Sequence, residues 1–91
     1  MINEARIAEI GFKPLWRDSD GVTMWATASA IRLERYRKRY VRASYATIHG
    51  EPSEDVDEAL VSMAAALRRE AYTLRDRADA MLDAARCVEE A

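Results

Sequence analysis

After Gly50-Glu51-Pro52-Ser53 the sequence contains no further glycine or proline, and good helix formers fill the remainder. Ser53 is the expected N-cap, and Glu54, Asp55, Asp57 and Glu58 complement the positive end of a helix dipole. Val56, Leu60, Met63, Leu67, Ala71, Leu74, Ala78, Met81, Ala85 and Val88 then recur every three or four residues. They form a heptad seam with one four-residue stutter between Leu67 and Ala71. The pattern predicts a single helix over 54–89. Such a helix runs about 54 Å, whereas a compact domain of this chain length has a radius of gyration of about 12 Å. It must therefore bend near the stutter and Arg68-Arg69, or pack against a second copy of itself. Ala71, Ala78 and Ala85 admit a close backbone, which favours a homodimer with Leu60, Met63, Leu67, Ala71, Leu74, Ala78, Met81 and Ala85 as its seam. The plainer alternative is that this face covers the chain's own sheet.

The chain before this helix is patterned differently. Ile2, Ile7 and Ile10 suit a short amphipathic helix that stops near Gly11. Two aromatic-rich runs, 12–17 and 22–27, bracket Asp18-Ser19-Asp20-Gly21, whose terminal Asp-Gly reads as the turn of a β-hairpin. Pro14 has no N–H to donate, so its strand belongs at a sheet edge. Residues 31–48 admit two readings. Tyr40-Val41-Arg42-Ala43-Ser44-Tyr45 is rich in strand formers and Ile31-Arg32-Leu33-Glu34 alternates, which predicts one or two further strands. On a helical wheel Leu33, Tyr36, Tyr40, Ala43, Thr47 and Ile48 also share a face, which predicts an αα-hairpin with the long helix. The expected fold is α+β: a short N-terminal helix, a small antiparallel sheet and the long C-terminal helix, in one domain spanning 1–91.

Ninety-one residues at 49% hydrophobic and 33% charged describe a folding chain without a membrane span, and argue against disorder. The N-terminal residues lack a secretory layout and the single Cys87 has no internal partner, so a reducing cytoplasm is the expected compartment. Few of the residues that carry chemistry occur in the right company. His49 is the only histidine and no His/Cys cluster has metal spacing. No serine or cysteine motif marks a nucleophile for His49 to activate, and a solvent-facing side chain is the ordinary expectation. Cys87 lies at the negative end of a helix beside Glu89 and Glu90, which does not favour a thiolate. Aligned as a calcium loop, Asp18-Ser19-Asp20-Gly21 places Trp16 and Thr27 where carboxylates are required. No phosphate-cradling glycine loop is present. The expectation is no enzyme, no cofactor and no metal.

Charge is unevenly spread. Residues 1–50 carry nine Lys or Arg against five acids, and residues 51–91 carry five against eleven. The densest basic stretch holds Arg32, Arg35, Arg37, Lys38, Arg39 and Arg42, interleaved with Tyr36 and Tyr40. Together with Trp25 of the hairpin, these residues are the candidate partner-binding surface, since Trp, Tyr and Arg favour interface anchors. The expected partner is another protein. Nucleic acid is the alternative, because arginines neutralise phosphates and aromatic faces stack bases. The overall charge of −2 and pI near 5.4 argue against it. Glu70, Asp76, Asp79 and Asp83 on the long helix resemble a phosphate mimic only weakly, since Arg68, Arg69, Arg75, Arg77 and Arg86 interrupt them. In size and composition the chain resembles the small proteins that phages and mobile elements direct against host defence, such as anti-CRISPR proteins. No motif carries that resemblance, which implies an inhibitor or adaptor acting by direct contact.

Overall fold

The computed structural model describes residues 2–91. Helix α1 (Glu4–Ile10) leads into strands β1 (Lys13–Asp18), β2 (Gly21–Ala26), β3 (Arg32–Tyr36), β4 (Tyr40–Tyr45) and β5 (Ile48–His49), followed by helix α2 (Val56–Glu90). The five strands form an antiparallel meander in chain order, so every connection is a short turn. This is the expected α+β architecture. The αα-hairpin is overturned: residues 32–45 pair as two strands, with Leu33 opposite Ala43 and Arg35 opposite Val41. Strand propensity prevailed because alternation gives this segment one face that can be buried against a helix.

Local chemistry sets the boundaries. Asn3 caps α1 by accepting from the Arg6 N–H, and Gly11 closes it at φ +113°. In the β1–β2 turn, Asp18 Oδ1 accepts from the Asp20 N–H at 2.8 Å, and Gly21 takes φ +120°. Pro14 lies on β1, an edge strand as its missing donor requires. The cap of α2 is Asp55, not Ser53. The Asp55 side chain accepts from the Asp57 and Glu58 N–H groups, while Ser53 is drawn into a backbone bridge with Val41. Ser53 Oγ instead accepts from the Asp55 N–H and donates to Glu58.

The core lies between one face of the sheet, α1 and the first three turns of α2. Ile7, Leu33, Ala43 and Ala59 are fully buried, with Phe12, Val22, Trp25, Val41, Val56 and Met63 around them. Arg6 ties α1 to α2 through both oxygens of Asp57, the shortest contact being Nη2 to Oδ1 at 2.9 Å. That hydrogen-bonded guanidinium holds the Asp57 carboxyl below its ordinary range and raises Arg6 above its own. A carboxyl whose pKa falls on folding contributes stability above its unfolded pKa and loses it as pH falls through the folded value. The Asp57 side-chain carbon is therefore expected to titrate at lower pH than a free aspartate. Arg6→Gln should return it to the ordinary midpoint in a carbon-detected titration, and an unchanged midpoint would show that the pair does not form.

The long helix does not bend back. It is unbroken from Val56 to Glu90, and the molecule is 64 Å long but only about 21 Å across. Val56, Ala59, Met63 and Ala66 are buried, Leu60 and Leu67 half-buried, and every residue from Arg68 onward is exposed. The seam is thus two surfaces. Leu60, Met63 and Leu67 pack against the chain's own core. Ala71, Leu74, Ala78, Met81 and Ala85 stand on a free overhang. The change falls at the stutter, because a helix on a twisted sheet follows a different stripe from one that keeps strict heptads. No helix of the described residues is long and apolar enough to cross a membrane.

Candidate interaction surface

Strand register sorts the basic stretch into three groups. Register partners share a face, and Leu33 and Ala43, both fully buried, mark the core side. The solvent side therefore carries Arg32, Glu34 and Tyr36 of β3, with Tyr40 and Arg42 of β4 opposite them. Arg42 donates to Glu34 through Nε at 2.9 Å and through Nη2, and its guanidinium lies 5.2 Å from the centroid of the Tyr36 ring. Arg37 approaches the same ring at 5.4 Å. Tyr36 is thus held between two cations.

The other basic residues are placed elsewhere. Arg35 alternates onto the core side and reaches across β2, donating Nη1 to the Asp20 carbonyl at 3.4 Å. Its Nε is buried without a partner among the described residues. Arg35 braces the hairpin turn and does not lie in the strip. Arg37, Lys38 and Arg39 form the β3–β4 turn, and Arg39 leans towards Glu54 at 3.6 Å. The turn is made without glycine or asparagine: Arg37 and Lys38 take φ +53° and +65°. Left-handed backbone costs an ordinary residue about 1–2 kcal/mol. Lys38→Gly is accordingly expected to raise folding stability by about 1 kcal/mol in urea denaturation. A loss of stability instead would show that the lysine side chain supports the turn.

Trp25 does not belong to any contact surface. It is 2% exposed, paired with Leu33 on the core side. The two tryptophans do not pair across the hairpin either. Trp25 stands opposite Pro14, in register with the turn pair Asp18 and Gly21, and Trp16 stands opposite Met24, with a register shift on either side of it. Leu15 is the extra residue at the first shift, a bulge that turns Trp16 to the solvent side and leaves it 67% exposed. Leu15, 55% exposed, joins it. With Met24 and Arg32 they line an open hollow of about 450 Å³. Arg32 also borders a second hollow of about 330 Å³ with Ala30, Ser44, Tyr45 and Ala46.

Compared with known proteins, the chain matches no family model, no curated protein and no solved structure.

The strip and the hollow meet at Arg32, so the solvent side of the sheet is one continuous surface from Trp16 to Tyr40. Its edge strand β1 is exposed along its whole length. His49 is exposed on β5, and Cys87 is exposed far out on α2. Neither lies on this surface. Among the described residues, no three His, Cys, Asp or Glu side chains are gathered as metal ligands would be. The sequence reading places Trp25 on the surface, whereas the fold buries Trp25 and exposes Trp16. The signal that distinguishes them is Pro14, which marks the run holding Trp16 as the edge strand, the more exposed of the two.

Proposed function

We propose that the protein is a non-enzymatic binding module, an inhibitor or adaptor that holds another protein by direct contact through the solvent side of its sheet. The observation that carries this reading is the exposure of Trp16 and Leu15 around a hollow shared with Met24 and Arg32. Burying a large apolar side chain stabilises by about 1.5–3 kcal/mol, a gain that folding leaves untaken here and a partner can supply. Tryptophan, tyrosine and arginine are the side chains that dominate interface energies, and all three types lie on this face. Arg32, Arg37 and Arg42 against the single Glu34 make the surface basic, so the fitting partner offers an apolar side chain beside acidic residues.

A second reading draws on the same residues. Trp16, Tyr36 and Tyr40 with Arg32 and Arg42 also resemble a platform on which single-stranded bases stack. One experiment separates the two. The protein and its Trp16→Ala variant are used as affinity baits in a cell lysate, with and without nuclease. A stoichiometric protein held by the parent chain, lost with Trp16→Ala and indifferent to nuclease supports the protein-binding reading. Recovery that disappears with nuclease and weakens steeply with salt moves the assignment to nucleic acid. Capture unaffected by Trp16→Ala overturns the sheet-face site.

A further inference from the structure

Beyond Leu67 the apolar stripe of α2 continues with nothing among the described residues to cover it: Leu74 is 53% exposed, Met81 68% and Val88 76%. We propose that residues 68–90 are covered by the same residues of a second copy running antiparallel. The inference stands apart from what the sheet face binds. Three observations converge on this occupant and this direction.

The first is period. The four-residue stutter coincides with the end of the sheet contact, and from Ala71 the spacing is strictly alternating three and four. That repeat is what a second helix requires, and a chain covering its own sheet has no use for it past the sheet's end.

The second is volume. Ala71, Ala78 and Ala85 occupy one heptad position, and Leu74, Met81 and Val88 the other. A parallel pair would stack alanine on alanine, then large on large, giving layers alternately void and crowded. In an antiparallel pair Ala71 faces Val88 of the second copy, Ala78 faces Met81 and Ala85 faces Leu74. Each layer then joins one small and one large side chain, the condition for even packing.

The third is charge. Residues 68–77 hold four arginines against two acids, and residues 78–90 hold four acids against one arginine. Antiparallel pairing sets each basic half beside an acidic one, whereas parallel pairing sets like beside like. In the register above, Arg68 falls next to Glu89 of the second copy at both ends, and the stem of Arg75 covers Leu82. The dimer carries its two sheets at opposite ends of paired helices about 35 Å long.

Sedimentation equilibrium of the full chain tests association, and is expected to give twice the chain mass. Leu74→Glu combined with Met81→Glu should halve that mass, with the buried-tryptophan fluorescence of Trp25 retained as proof that the sheet still folds. Direction is read by oxidative cross-linking in a Cys87→Ser background. Ala71→Cys and Val88→Cys chains should form a disulfide when mixed, and neither should do so alone. In the antiparallel dimer the two Val88 positions lie about 25 Å apart, and a disulfide needs Cα atoms within about 7 Å. Self-cross-linking of Val88→Cys alone would establish the parallel arrangement and overturn the proposal. So would a single-chain mass at every concentration reached.

Discussion

Trp25→Ala is expected to remove about 3–5 kcal/mol of folding free energy, the usual cost of emptying a large aromatic site in a core that can only partly collapse. Small domains hold about 5–15 kcal/mol in all, so this one substitution consumes a large part of the stability of the sheet. Trp25 is 2% exposed and stands between Pro14 of the edge strand and Leu33 of β3. Its loss therefore loosens the hairpin as well as the core. Trp16→Ala, one strand away and on the opposite side of the sheet, should change stability by less than about 0.5 kcal/mol. Urea denaturation of the two variants measures both values. Fluorescence gives an independent check: Trp25→Phe leaves only the solvent-exposed Trp16 to emit, at long wavelength, and Trp16→Ala leaves only the buried one. Similar stabilities for the two alanine variants would mean that the sheet is packed on its other face. Only a tryptophan that the fold does not need is free to anchor a partner.

The two tryptophans also show where the sequence stops being informative. Both sit in aromatic-rich runs beside the same Asp-Gly turn, and hairpin geometry alone lets them pair across it. The strands close on Ser19-Asp20, with Asp18 opposite Gly21, and that register sets Trp25 against Pro14; a bulge at Leu15 then moves Trp16 to the other face, since one residue of shift in a strand exchanges the two faces. The long helix was readable because its signals are local and repeated, an acidic first turn and the seam, although its cap lies two residues beyond the serine expected. Its division at Leu67 was written as the stutter, but which side of the stutter meets the sheet depends on where the sheet lies. The β3–β4 turn was obscured by its composition. Arg37 and Lys38 are poor residues for positive φ, and only the pairing of Tyr36 with Tyr40 forces them into it. Arg35 illustrates a limit of another kind. Its charge placed it with the strip, its parity in β3 placed it on the core side, and parity prevailed.

Gly50→Ala is expected to cost about 2–3 kcal/mol, as overpacking of a closed contact does. Gly50 follows β5 where the chain passes against α2, and a methyl group there would lie 2.8 Å from the Met63 nitrogen and 3.0 Å from its Cα. Both neighbours are helix backbone, which cannot swing aside as a side chain can. The chain cannot retreat either. Gly50 N–H donates to the Ala43 carbonyl at 2.9 Å, and Glu51 N–H donates to Ser62 Oγ at 2.7 Å. The methyl must therefore lift α2 from the sheet at Met63, a buried residue beneath which the core clusters. Ser62→Ala removes only the hydroxyl anchor and should cost about 1 kcal/mol. Thermal unfolding of the two variants compares the effects, and equal losses would mean that the helix is held at this point by its hydrogen bond and not by close approach. Because the overhang beyond Leu67 makes no contact with the sheet, the Gly50→Ala chain should still dimerise through residues 68–90. Dimerisation lost together with stability would show instead that the overhang depends on the seating of α2 against β4 and β5.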